Sequence, residues 1–249
     1  MAHVRVLCVM DEGAKENTSL IGSRGASFLF DVDGKRIMFN AGKSGRYLTH
    51  NLSYLRIPAD SIDAAVISYP SIEYIGGLNS LMTIRKKPLD VYAAPEAWSC
   101  KRLMGDLITE DNRGGVNDID VGDEWIQLTE HLHLSPFADQ ESRELALVLK
   151  TNQGPVVFCV RAASGIASIL EMAKRRFGQL RGLVGGIEMH KLKQPAVNEI
   201  AGSITGMYGI GEIYLNGITG REGIQKMRVA TSNDKIKDFF GGYELDFTV

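Results

Sequence analysis

The stretch that most constrains this chain lies at residues 62–78. The apolar run Ala64-Ala65-Val66-Ile67 leads into the polar loop Ser68-Tyr69-Pro70-Ser71-Ile72-Glu73-Tyr74-Ile75, and Gly76-Gly77-Leu78 opens a helix. A short continuous apolar run bounded by turn residues reads as a buried strand. A strand that enters a polar loop and then a helix sets reactive groups at the edge of a sheet. Whatever this chain does, its chemistry is expected near this loop.

The segments around it place that strand in a larger plan. Residues 4–9, 27–31 and 36–40 are β-rich, and Asp33-Gly34 between the last two is a strong hairpin signal, because both turn positions need φ > 0. Residues 11–24 are polar and read as a loop over a sheet edge. Gly42-Lys43-Ser44-Gly45 precedes a helix at 46–55; such a turn presents N–H groups to an anion or is a plain turn, and it lacks the phosphate-loop spacing. Further on, the pattern predicts a helix at 78–84, a strand at 89–93 and a helix at 95–103 with proline in its first turn. Residues 106–123 are acidic, carry Gly114-Gly115 and read as a mobile loop or lid.

After that loop the order of elements repeats. Residues 125–134 alternate, and 146–150 and 156–160 pair about Asn152-Gln153-Gly154. An amphipathic helix at 166–177 puts Ile166, Ile169, Leu170, Ala173 and Phe177 on one face and a basic end at Lys174-Arg175-Arg176, ended by Gly178. A strand at 183–184, a helix at 195–205, a strand at 212–215, a helix at 221–227 and a strand at 239–247 close the chain. The glycine-rich stretch 202–211 lacks dinucleotide spacing and reads as a helix end and turn. Hairpin strands followed by strand–helix alternation therefore occur twice, at about 1–113 and 121–249, within one domain spanning 1–249.

Composition narrows the functional classes. With 44% hydrophobic and 23% charged residues over 249 positions, the chain is of ordinary globular type. Its net charge of −2 and the absence of any long block of one sign argue against a nucleic-acid partner. Cys8, Cys100 and Cys159 are widely spaced and read as reduced thiols. No signal peptide is read at the start, and no apolar run approaches the roughly 20 residues needed to span a bilayer. A cytoplasmic protein with no membrane partner is expected.

Residues 37–42, Ile37-Met38-Phe39-Asn40-Ala41-Gly42, followed by a helix and by the loop ending Gly76-Gly77-Leu78, resemble the metallo-β-lactamase superfamily, where a strand ending Asp-x-Gly precedes Ser-His-x-His-x-Asp-His-x-Gly-Gly-Leu. More narrowly, Val160-Arg161-Ala162-Ala163-Ser164-Gly165-Ile166, Gly185-Gly186-Ile187-Glu188-Met189 and Gly217-Ile218-Thr219-Gly220 are similar to motifs of the dihydropterin-type ribofuranosylaminobenzene-phosphate synthase branch. The resemblance implies an α/β fold, the four-layer αββα metallo-β-lactamase-like sandwich. Carried over residue by residue, it places the first motif's ligands at Tyr69, Ser71, Glu73 and Tyr74, and the later ones at Ala163, Glu188 and Gly217, with Asn40 for the aspartate. Only Glu73 and Glu188 keep a hard-metal donor. Catalytic zinc usually has three protein ligands, so no dinuclear metal and no cofactor is expected.

Each remaining candidate has two readings. Glu73 and Glu188 form a carboxylate pair that shares a proton or binds one hard cation such as Mg²⁺ with waters, or each is hydrogen-bonded or solvated at a rim. Tyr69 and Tyr74 stack on a planar ligand, or fill volume. Arg161 binds a phosphate or carboxylate, or pairs with Glu73 or Glu188. Ser71 lacks the signature of an activated nucleophile. His190 is an acid–base group or a surface residue beside Lys191 and Lys193, and His131 and His133 share a strand face without a third ligand. Together these give the expectation of a catalytically degenerate protein that binds a small ligand or a protein partner through Asn40, Tyr69, Ser71, Glu73, Tyr74, Arg161, Glu188 and His190, with homo-oligomerisation left open. The alternative is a metal-independent enzyme acting on a phosphorylated or pterin-like molecule through Glu73 and Glu188.

Overall fold

The computed structural model describes residues 2–100, 107–163, 165–189, 191–231 and 233–249. It divides into two compact units. The N-terminal unit is built from residues 2–124 together with 240–247, and the C-terminal unit from residues 125–239 with 248–249.

In the N-terminal unit the strands β1 (His3–Met10), β2 (Ser27–Val32) and β3 (Lys35–Phe39) run antiparallel. Asp33 and Gly34 turn the β2–β3 hairpin with φ of 52° and 72°, as the Asp-Gly signal requires. Helix α1 (Gly45–Tyr54) then buries Leu48, Asn51 and Leu52. Strand β4 (Ala64–Val66) is fully buried, as its unbroken apolar sequence predicts, and lies parallel to β3. The polar loop after it contains a one-turn helix, α2 (Ile72–Ile75), before α3 (Leu78–Ile84), which packs on α1. Next comes β5 (Leu89–Ala93), and the segment read as a helix at 95–103 forms a 3₁₀ turn over Pro95–Ser99, with 101–103 outside the described residues.

The expected lid is a structured edge instead. Helix α4 (Glu110–Arg113) and strand β6 (Val116–Asp120) occupy it, and β6 lies parallel to β5 with Val116 buried and Asn117, Asp118 and Asp120 exposed. An edge strand needs only one covered face, and acidic side chains on it block further pairing. That is why its sequence looks like a loop.

The C-terminal unit uses a similar plan. Strands β7 (Ile126–Gln127), β8 (Leu132–Leu134), β9 (Leu147–Leu149) and β10 (Val156–Cys159) run antiparallel. Helix α5 (Ile166–Phe177) follows with Ile166, Ile169, Leu170 and Ala173 buried as its spacing predicts, and glycines with positive φ stand at both ends. Strand β11 (Gly182–Gly185), helix α6 (Gln194–Gly202), strand β12 (Glu212–Leu215), helix α7 (Arg221–Ala230) and strand β13 (Ile236–Asp238) complete it, with β10 to β13 parallel. The helix expected at 195–205 ends at Gly202 and continues as a π turn over Ser203–Met207.

The strand expected at 239–247 starts only at Glu244, the preceding strand β13 having ended at Asp238 in the other sheet. After β13 the chain turns at 240–243, and β14 (Glu244–Thr248) joins the N-terminal unit's sheet beside β1. The sheet orders are β14-β1-β2-β3-β4-β5-β6 and β13-β12-β11-β10-β9-β8-β7. Among the described residues no helix is long and apolar enough to cross a membrane.

Candidate functional site

In the N-terminal unit the loop after β4 is held by short backbone contacts. Ala41 N–H donates to Tyr74 O at 2.7 Å and Gly77 N–H to Gly42 O at 2.9 Å. A Cβ on Gly25 would lie 1.7 Å from Glu73 O, and one on Gly76 2.5 Å from both Ile72 O and Lys43 O, so both positions exclude side chains. The Gly42–Gly45 turn is packed in the same way, against Met10 at Gly42 and Ser80 at Gly45. Ser71 caps α2, its Oγ accepting the Glu73 N–H at 3.3 Å.

Asn40 anchors the start of this loop. It stands one residue past β3 with φ of 66°; its N–H donates to Val66 O at 2.7 Å and its Oδ1 accepts the Ser68 N–H at 2.7 Å. Tyr74 has no exposure and meets Tyr69 edge to face, ring centroids 6.1 Å apart. Glu73 is half-buried. With burial as the larger cause, its charge pushes the nearby Glu12 carboxyl up, while Arg24 pulls it down.

The C-terminal unit presents a second loop, after β10. Arg161 Nε donates to Glu188 Oε2 at 2.9 Å, and Glu188 N–H donates to Arg161 O at the same distance, so the pairing reading of these two residues describes their geometry. Ala162 takes a left-handed φ of 52° and donates its N–H at 2.8 Å to Oε1 of Glu144, a carboxylate with no exposure. Gly185 and Gly186 let β11 approach β10, since a Cβ would come within 1.5 Å of Cys159 O and 2.2 Å of Val160 O. Asn216, fully buried, repeats the Asn40 arrangement: its N–H donates to Gly185 O and its Oδ1 accepts the Ile218 N–H at 3.1 Å. Ala163 is exposed, Gly217 opens a 3₁₀ turn, and His190 lies outside the described residues.

Asp11 and Glu144, the two carboxylates without exposure among the described residues, stand outside every candidate site of the sequence analysis. Charged residues are almost never fully buried unless paired. Asp11 opens the polar stretch read as a loop and Glu144 falls between the segments read as strands, so no local signal distinguishes either. His133 packs on Phe177, centroids 5.1 Å apart, and Phe177 also meets Trp125 edge to face. Burial holds the His133 imidazole below its usual range, helped by Lys150, Arg176 and His131.

No family model matches the chain. A metal-dependent hydrolase of the β-lactamase superfamily, Tm1679, superposes with a TM-score of 0.80 at 19% identity, covering 99% of this chain and 100% of the other. The chain has the metallo-β-lactamase fold. A diphosphatase from the PhnP family shares that fold with a TM-score of 0.65 at 15% identity, covering 99% of this chain and 98% of its own. In sequence, the exodeoxyribonuclease WalJ of Streptococcus pneumoniae serotype 2 is 30% identical over 86 residues, 34% of this chain. That match spans 31% of the nuclease, about a third of its length.

These relationships overturn the expectation of a catalytically degenerate binder; the Glu73/Glu188 alternative fails on its pair, since the two residues belong to different units and Glu188 is bound to Arg161. The proteins similar in fold and sequence carry the names of a hydrolase, a diphosphatase and a nuclease, all catalysts. A metal is implied by the first of these names, and the donors in this chain do not fit one. In the N-terminal unit the motif positions hold two phenols, a hydroxyl already accepting from Glu73 N–H, and one carboxylate. In the other unit Ala163 and Gly217 have no side-chain donor and a Glu188 oxygen is held by Arg161. Among the described residues no three His, Cys, Asp or Glu side chains gather around a common point.

Proposed function

We propose that this protein hydrolyses phosphodiester bonds. The observation that carries the reading is the 86-residue match at 30% identity to an exodeoxyribonuclease, an enzyme named for breaking that bond. The diphosphatase of the same fold, also named for cleavage at phosphorus, supports it. So does the narrower likeness of the 160–166, 185–189 and 217–220 motifs to a branch named for a phosphate-bearing product.

A small diester suits the chain better than a long polyanion. Affinity for a long nucleic acid comes largely from counterions released by many Lys and Arg contacts, and a net charge of −2 without a basic tract offers few. Arg161 is the side chain to which phosphate recognition is assigned. Its planar guanidinium matches phosphate oxygens, it is part-exposed, and Glu188 fixes its Nε edge while Glu144 fixes the backbone beside it. Charge grows on the non-bridging oxygens as a diester is attacked, so a preorganised cation strengthens its contact in the transition state.

The test offers bis(p-nitrophenyl) phosphate and short single-stranded DNA to the purified protein, each with and without Mg²⁺ or Mn²⁺. Turnover of the small diester is expected, with Arg161→Ala lowering kcat/KM at least about tenfold, the loss of one charge-assisted hydrogen bond. Turnover of neither substrate under any condition refutes the reading. Turnover of DNA alone refutes the preference for a small diester.

A further inference from the structure

We propose that the N-terminal unit carries an internal water site at one end of its central strands, formed by Ser27, Asn40 and Ser68. The inference stands apart from the phosphodiester reading. All three residues have no exposure, and among the described residues Ser27 Oγ, Asn40 Nδ2 and Ser68 Oγ have no hydrogen-bond partner.

The strand register puts the three together. Phe28 of β2 pairs with Phe39 of β3, so Ser27 and Asn40 are the next residues outward on the two strands. Ser27 also pairs with Met10 on its other side, next to Asp11. Asn40 reaches the end of β4 through its N–H to Val66 O and through Oδ1, which accepts the Ser68 N–H. One polar atom is thereby contributed by each of three adjacent strand ends. Leaving a buried polar group unmet costs about 1–3 kcal/mol, and three such groups in one row call for a shared ligand.

The chemistry of the row selects water over an ion. Asn40 Oδ1 is committed to Ser68 N–H, so the amide turns its N–H groups inward, and these repel a cation. The Asp11 carboxylate, also without exposure, stands at the neighbouring strand end, and its charge adds to burial in pushing the Cys8 thiol up. Such a field disfavours an anion. An apolar ligand would satisfy none of the three groups. Water accepts from the amide and donates to a serine oxygen, and buried waters typically make about three such bonds. Bound there, it ties the ends of β2, β3 and β4 together beneath the loop that carries Tyr69 to Tyr74.

Two measurements on the whole chain decide the matter. A high-resolution crystal structure is expected to show ordered water within hydrogen-bond distance of Asn40 Nδ2 and of Ser27 Oγ or Ser68 Oγ. Urea unfolding of Ser27→Ala and Ser68→Ala gives the second readout, because the sign differs between the alternatives. A hydroxyl bonded to water stabilises the fold, so its loss lowers the folding constant several-fold; an unmet hydroxyl destabilises it, so its loss raises the constant. Water at the site with at least one variant less stable supports the proposal. No water there, an ion in its place, or neither variant less stable overturns it.

Discussion

Glu144→Ala removes the carboxylate oxygen that receives the Ala162 N–H at 2.8 Å, in a position with no exposure. The lost bond is charge-assisted, a class worth about 1.5–3 kcal/mol, and the N–H left behind is buried at a cost of about 1–3 kcal/mol. Release of a buried charge offsets part of this. The net loss is about 3 kcal/mol, enlarged by any cavity the truncation leaves. Glu144→Gln keeps an acceptor of the same shape and drops only the charge, so its loss is expected at about 1 kcal/mol. Urea unfolding followed by circular dichroism measures both, and hydrogen exchange at the Ala162 amide reports the local bond. An Ala variant within about 0.5 kcal/mol of wild type, or no less stable than the Gln variant, refutes the argument, since the difference between the two rests on the acceptor.

The same geometry sets other expectations. Gly25→Ala, with φ of 78° and a Cβ placed 1.7 Å from Glu73 O, is expected to cost about 3 kcal/mol or more, while Gly34→Ala, with φ of 72° and open space, costs only the left-handed penalty of about 1–2 kcal/mol; equal thermal shifts in the two variants would contradict this. A double-mutant cycle on Tyr69→Ala and Tyr74→Leu is expected to give a coupling of about 1 kcal/mol from the edge-to-face contact, measured by denaturant midpoints. His133 is held neutral in the fold, so the unfolded chain takes up its proton first and stability falls as pH drops below the usual imidazole value, through the lower value in the fold. The midpoint's decline between about pH 7.5 and about pH 5 should be smaller in His133→Gln, and an unchanged slope would remove His133 from the account.

Much of the fold was legible because its signals are local. The Asp33-Gly34 turn, the apolar run of β4 and the helical spacing of α5 each state their structure within a few residues. The misread segments depend on distant neighbours. Strand β6 shows a loop's polarity because only Val116 is buried and Ile119 half-buried, and β14 separates from β13 because its pairing partner is β1. At the candidate site, motif spacing located the loop of Tyr69, Ser71, Glu73 and Tyr74 and the Arg161–Glu188 pair. Glu144 went unseen because burial and an N–H eighteen residues away make it structural, and neither is written in its neighbours. The inference of lost catalysis also went too far, since absent histidines describe donors and say nothing of what else a hydrolase of this fold uses.

The return of β14 to the edge of β1 has a consequence for the order of assembly. During synthesis the C-terminal unit's strands, contained in residues 125–239, can all be present while β1 still lacks its neighbour. Strand β1 is thus made well before the strand that completes its side of the sheet. Until residues 244–248 arrive, the exposed backbone of β1 is an open template for pairing with another chain.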